Sequence, residues 1–211
     1  MQFQQALCQV MEERHVSQEM LAARTDANPR WIVEVTTNPE WHPKLDTILR
    51  LCLALRYDVI SFLELAEVGS RGLAPSSKLQ APSSKLQAPS SKLQAPSSKL
   101  QAPSKEDFTL EEQMLLLLEV MPFHVSRALR AARLEAGLSQ RKLSKLTTFS
   151  VCSISLREGY RNTSYPTVTT LGLYCEAFKI ELAQFMAWVF FFTRQDQGLM
   201  PIDSLKLYEK W

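Results

Sequence analysis

Apolar residues recur at spacings of three and four in two stretches of this chain. Neither stretch shows strand-like alternation of useful length, so the pattern predicts short amphipathic helices. In the first stretch, Leu7, Val10 and Met11 point inward from a helix over 3–14, and Ser17 is placed to cap a second. Asn28-Pro29 opens a third helix, with a capping residue and then proline at the first helical position. Leu45, Ile48, Leu51, Cys52 and Leu55 line a fourth, and Ile60, Phe62, Leu63 and Leu65 a fifth. In the second stretch, Val125, Leu129, Ala132 and Arg133 start a helix that stops near Gly137, a good left-handed terminator. Ser139 caps the next, with Gln140, Leu143 and Leu146 inward. Residues 147–149 turn, and Ser150 caps a helix carrying Val151, Ile154 and Arg157. Val168, Leu171, Tyr174, Cys175 and Phe178 form a fourth helix, and Leu182, Phe185, Met186 and Trp188 a fifth.

The two stretches are copies of one plan. Ser17-Gln18-x-x-Leu21-Ala22 and Ile32 match Ser139-Gln140-x-x-Leu143-Ser144 and Ile154 at an offset of 122. Pro43, Thr47, Cys52 and Phe62 match Pro166, Thr170, Cys175 and Phe185 at 123, so one residue is inserted between the third and fourth helices. Between the copies, Ala-Pro-Ser-Ser-Lys-Leu-Gln runs four times from Ala74 to Gln101. A proline in every copy excludes a seven-residue coiled coil, and one lone Leu per copy cannot build a core. The expected organisation is an acidic helical domain over 1–70, a disordered repeat tether over 71–106, and a basic helical domain over 107–211. Ahead of the second plan, Thr109-x-x-Glu112 is a capping-box signature before the apolar run 114–118. That run, and the equally apolar segment 188–192, either pack on the domain or form a dimer interface; the dimer is the expectation.

Charge separates the copies. The chain carries only +2 overall, but residues 124–170 hold eight Lys/Arg against two Asp/Glu, while 1–68 hold six against ten. The four cysteines lie far apart, and neither they nor the three histidines make a metal-ligand spacing. Cys52 and Cys175 occupy one core-facing slot, and Cys8 is expected to pack as well. Cys152 is expected on an exposed helix face. No apolar run approaches the roughly 20 residues of a membrane helix, and no signal peptide is visible. A cytoplasmic protein with no cofactor and no metal is expected. With no paired carboxylates, nucleophile–base set or phosphate loop, enzymatic activity is not expected.

Five short helices, the second and third joined by a tight turn, resemble the lambda-repressor-like (Cro/XRE) helix-turn-helix family. Gly137-Leu-Ser-Gln140-x-x-Leu143, Ile154 and Glu158-Gly159 carry the resemblance in the second copy, and Val16-Ser-Gln18-x-x-Leu21-Ala22 and Ile32 in the first. The turn glycine usual in that family is Asp26 in one copy and Thr148 in the other. The resemblance implies an all-α protein of two five-helix domains that binds a double-stranded DNA operator as a transcription regulator, a repressor rather than an activator, and usually as a homodimer. It assigns Gln140 to clamping the backbone or a base, and Ser150, Val151, Cys152, Ser153 and Ser155 to the major groove. Arg141, Lys142, Arg157 and Arg161 would hold phosphates. In the first copy the matching positions are Gln18, Asn28, Arg30, Trp31 and Val33, with Glu34 beside them opposing phosphate. The acidic charge there leaves a second reading open: the first domain binds a protein partner, as an anti-activator or antitoxin does, with Trp31 as anchor.

Overall fold

The computed structural model describes residues 3–67, 103 and 108–198. The repeats from Ala74 to Gln101 and the segment 199–211 lie outside the described residues. All regular structure within them is helical, in eleven helices. The first five are α1 (Phe3–Glu13), α2 (Gln18–Thr25), α3 (Pro29–Thr37), α4 (Leu45–Leu55) and α5 (Val59–Glu67). Then come α6 (Leu110–Glu119), α7 (Pro122–Glu135), α8 (Gln140–Leu146), α9 (Val151–Arg157), α10 (Val168–Phe178) and α11 (Leu182–Asp196).

The internal offsets of the sequence reappear as matched local geometry. Ser17 and Ser139 both cap a helix, their hydroxyls accepting from the Met20 and Lys142 amides. His15 (φ 52°) and Gly137 (φ 66°), 122 apart, both take the left-handed conformation that ends the first helix of each half. Arg56 (φ 49°) and Lys179 (φ 61°), 123 apart, do the same after α4 and α10. A non-glycine residue tolerates this conformation at a modest steric cost. The Asp26 departure is absorbed in the same way, since Asp26 sits at φ 50° where the glycine would. Thr148 cannot follow, because a β-branched residue strongly disfavours positive φ. There the helix stops one residue earlier, at Leu146, and Thr147 is extended.

The core is continuous from one half to the other. Leu7, Leu21, Ile32, Ile48 and Phe62 are fully buried in α1–α5, and Leu143, Ile154, Leu171 and Phe185 occupy the matching places in the other half. α5 packs directly on α11, and α6 packs on both α4 and α11. α11 is longer than α5 because segment 188–192, expected at the surface of a dimer, continues the helix. Trp188, Val189, Phe190 and Phe192 are buried within the chain, and Phe191 is partly buried. Burying aromatic and aliphatic side chains of this size contributes about 1.5–3 kcal/mol each, which explains why the segment folds inward. Helix α6 starts from the predicted capping box: Thr109 Oγ1 accepts from the Glu112 amide, and the Glu112 carboxylate accepts from the Thr109 amide. α6 stops at Glu119, and Pro122 is the first residue of α7.

One short extended contact joins the halves. Lys44 and Thr167 form an isolated antiparallel bridge. The Leu45 amide donates to Pro166 O at 3.0 Å and the Val168 amide to Pro43 O at 2.9 Å.

No helix among the described residues is long and apolar enough to cross a membrane.

Candidate nucleic-acid interface

The side chains singled out on the second copy come together on α8, α9 and the residues that start them. Leu143 and Ile154, both fully buried, fix the two helices to the core from their inner faces. The caps fix their starts, with Ser150 Oγ accepting from the Ser153 amide at 3.1 Å. What remains outward is a cationic strip on α8, formed by Arg141, Lys142 and Lys145, next to the exposed Ser150, Val151, Cys152 and Ser155. Arg161 is exposed in the loop after α9. None of Arg141, Lys142, Lys145 and Arg161 makes an ion pair among the described residues.

Other predicted residues are less free. Arg157 lies with its guanidinium carbon 4.4 Å from the centre of the Phe149 ring, and its Nη1 donates to Ser153 Oγ at 2.9 Å. Ser153 is half-buried. Arg127, which counts toward the basic charge of 124–170 but has no assigned contact role, is held by Asp196 (2.6 Å) and Gln195 (2.6 Å).

Gln140 belongs to a buried polar cluster. Arg133 meets Glu158 in a two-point fork, Nε to Oε1 at 2.7 Å and Nη2 to Oε2 at 2.9 Å, with side chains 8% and 3% exposed. Arg133 Nη1 donates to Leu138 O, and Gln140 Nε2 donates to Glu158 Oε2 at 2.9 Å. The amide of Gln140 is therefore oriented by Glu158, which leaves its oxygen as the free end. Arg133 and Glu158 cancel each other inside, so burying them leaves the excess of cations on this half unchanged.

In the first half the same three places hold Met11, Thr36 and Gln18, and Gln18 Nε2 donates to Thr36 Oγ1 at 3.0 Å. Gln18 and Arg30 are exposed. Asn28 is occupied as a cap, its Oδ1 accepting from the Arg30 amide at 2.9 Å. Trp31 is half-buried, packing edge-on against Trp41 at 6.1 Å, with Trp41 in turn against Phe3. Glu34 and Val33 are exposed on the same helix. Between α2 and α4 lies an open cavity of about 620 Å³ lined by Arg24, Arg50 and Arg56 with Thr25, Leu53 and Ala54, and no carboxylate.

Cys8 is exposed, unlike the expectation that it packs, because α1 turns it away from the buried stripe of Leu7, Val10 and Met11. Cys152 is exposed, and Cys52 and Cys175 are buried. Burial pushes the Cys52 thiol far above its usual range, helped by the nearby Asp58 charge.

Three outward residues were not singled out from the sequence. Lys145 lies four residues after Arg141, a spacing that puts both on one helix face. Leu156 and Tyr160 are 70% and 71% exposed beside the strip. Their apolar character gave no sign of exposure, because Leu in a short helix reads as core.

Comparison of the chain with protein-family models, with curated proteins and with solved structures gives no match.

Proposed function

We propose that the chain is a sequence-specific double-stranded DNA-binding transcription regulator of the lambda-repressor-like helix-turn-helix type, acting in the cytoplasm as a repressor. In this reading each half is a five-helix domain, α2–α3 and α8–α9 are the two helix-turn-helix units, and the repeats between the halves are a disordered tether. The observation that carries it is the juxtaposition on α8–α9: four unpaired cations beside a small, exposed, weakly polar helix start. Cations facing phosphates supply most of the affinity for a duplex, and side chains at the start of the second helix of such a pair reach base edges. Arg141, Lys142, Lys145 and Arg161 hold phosphates. Val151, Cys152 and Ser155 meet base edges, where Val151 can touch a thymine methyl. Gln140, aligned by Glu158, presents its amide oxygen at the start of α8.

The first half plays a weaker part on DNA, because its outward face carries Glu34 and its aromatic candidate, Trp31, is packed on Trp41. A protein-binding role for this half draws support from the arginine-lined cavity between α2 and α4, whose charge suits an acidic segment.

The test uses the full chain. Selection from a random duplex library should enrich one sequence. On that duplex, Arg141→Ala with Lys142→Ala should weaken binding across sequences and flatten the logarithmic salt dependence by about one to two units. Arg30→Ala should weaken it far less. A library that never converges removes sequence-specific recognition, and an unchanged salt slope removes α8 from the backbone contact.

A further inference from the structure

The bridge between the halves has a symmetry that neither half needs for its own fold. Lys44 and Thr167 are the same position in the two copies, at the offset of 123 that also relates Pro43 to Pro166 and Leu45 to Val168. The two hydrogen bonds are each other's mates: Leu45 to Pro166, and Val168 to Pro43. A contact between equivalent residues, made reciprocally, is the signature of a two-fold axis passing between them. The helices that follow obey it too, since α5 packs on α11, its counterpart. The side chains flanking the bridge break the symmetry, with His42 Nδ1 and Thr169 Oγ1 3.2 Å apart.

From this we infer that the chain is an internal pseudo-dimer: the seam through which two copies of one half would pair is occupied by the chain's other half, so that one chain, without a second copy, presents two unlike heads to a single duplex site. The inference rests on the DNA-binding reading only for its last clause.

Three features favour the unlike pairing over pairing between chains. Helix α6 has no counterpart in the first half and clasps both halves. It packs on α4 and α11, its buried Gln113 donates to Asp58 Oδ2 at the start of α5, and its Glu112 lies 3.6 Å from Arg194 of α11. The first half is net −4 over 1–68 and the second +1 over 107–211, so the unlike pair is spared the repulsion that two acidic halves would meet. Finally, the two halves belong to one chain, so their encounter is intramolecular and does not weaken on dilution, whereas pairing between chains does. A two-fold rotation leaves the component along its axis unchanged, so a pairing of this symmetry would turn α3 and α9 to the same side, as two heads on one duplex require.

The bridge supplies its own test. With the bonds running from the neighbours of Lys44 and Thr167, these two form the close, non-hydrogen-bonded type of antiparallel pair, whose Cα atoms lie about 4.5 Å apart, within reach of a disulfide. Lys44→Cys with Thr167→Cys, in the full chain with Cys8→Ser and Cys152→Ser, should oxidise to a product of single-chain mass, 24.0 kDa. After cutting at a protease site inserted in the repeats, the pieces should stay joined until reductant is added. Sedimentation of the unsubstituted chain from about 1 to 100 μM should give one mass. A covalent species of twice the mass, no disulfide at all, or mass rising with concentration would each overturn the internal pairing. Light scattering of the cross-linked chain on the selected duplex should give one chain per duplex; two chains would overturn the single-chain reading. A cross-linked monomer that binds no duplex would leave the seam standing and remove the DNA-binding function alone.

Discussion

The two halves offer two chemical solutions to one buried place, which makes a transplant experiment possible. Arg133, Glu158 and Gln140 form the charged solution; Met11, Thr36 and Gln18 stand at the same three positions in the other half. Arg133→Met alone leaves Glu158, 3% exposed, as a buried carboxylate with only Gln140 for a partner. Glu158→Thr alone leaves the Arg133 guanidinium with only the Leu138 carbonyl. Breaking a buried pair from one side costs about 3–5 kcal/mol, because the remaining charge has lost its solvent and its partner. For a chain of this size that lowers Tm by about 6–20 °C. The double variant removes both charges and recreates the Thr–Gln hydrogen bond seen at 3.0 Å in the first half. It should recover most of the loss and lie within about 2 kcal/mol of the parent, since replacing a whole buried pair with apolar packing is often neutral. Thermal and urea melts of the parent, two singles and the double give the coupling energy directly. Singles that each cost under about 1 kcal/mol, or a double no better than the worse single, would refute the reasoning.

His124 predicts a pH dependence. It is buried, its Nδ1 accepts from the Met121 amide at 3.0 Å, and its Nε2 donates to Asp196 at 3.0 Å. Burial holds its pKa below the ordinary 6.5, against the pull of Asp196. The unfolded chain therefore binds the proton first. The stability His124 contributes is full above pH 6.5 and is lost as pH falls below it toward the lowered folded value. Melts from pH 8 to pH 5 should show this fall, and His124→Gln should flatten it; an unchanged slope would argue against the neutral histidine. Ellman's reagent should titrate two thiols on the native chain, Cys8 and Cys152, and four after denaturation; a native count of four would contradict the buried placement of Cys52 and Cys175. Thr109→Ala removes the cap of α6 and should cost about 1 kcal/mol in a urea melt, with no loss expected from Thr109→Ser.

Much of this architecture was legible because helix periodicity and end signals are local. Ser17, Asn28, Thr109, Ser139 and Ser150 all accept the amide bonds that their capping chemistry predicts. The offsets of 122 and 123 aligned the helices before any coordinates. What could not be read locally was which outward groups would find distant partners. Arg127 carries the same charge as Arg141, yet Asp196, 69 positions away, holds it. The resemblance assigns Gln140 to the backbone or a base, and nothing local shows that Glu158, 18 positions on, accepts from its amide. The run 188–192 has the composition of an interface, and composition does not say whether the partner is another chain or α5, α6 and α7 of the same one.

The seam shows how two copies of one plan can diverge in charge without losing each other. Its two central bonds are backbone to backbone, so they are indifferent to the side chains that differ between Lys44 and Thr167. On α5 and α11, the helices that pack across the halves, Phe62 and Phe185 are identical and fully buried. The cations of the strip lie on α8 and in the loop after α9, away from both sets of contacts. Helices α2 and α3 are each neutral, Glu19 against Arg24 and Glu34 against Arg30, and the acidic residues in excess in the first half lie on other elements. The second half can therefore carry its cationic strip, and the buried polar cluster can switch between Arg–Glu and Met–Thr, while the pairing geometry stays fixed. Among the described residues α6 is the helix without a counterpart, and it grips where the halves must be told apart: through Gln113 to Asp58 on one side and Glu112 to Arg194 on the other. Exchanging the outward residues of α2–α3 for those of α8–α9 should on this logic change what the first head binds and leave the chain's mass and Tm nearly unmoved. A large drop in Tm would mean that the outward faces also hold the halves together.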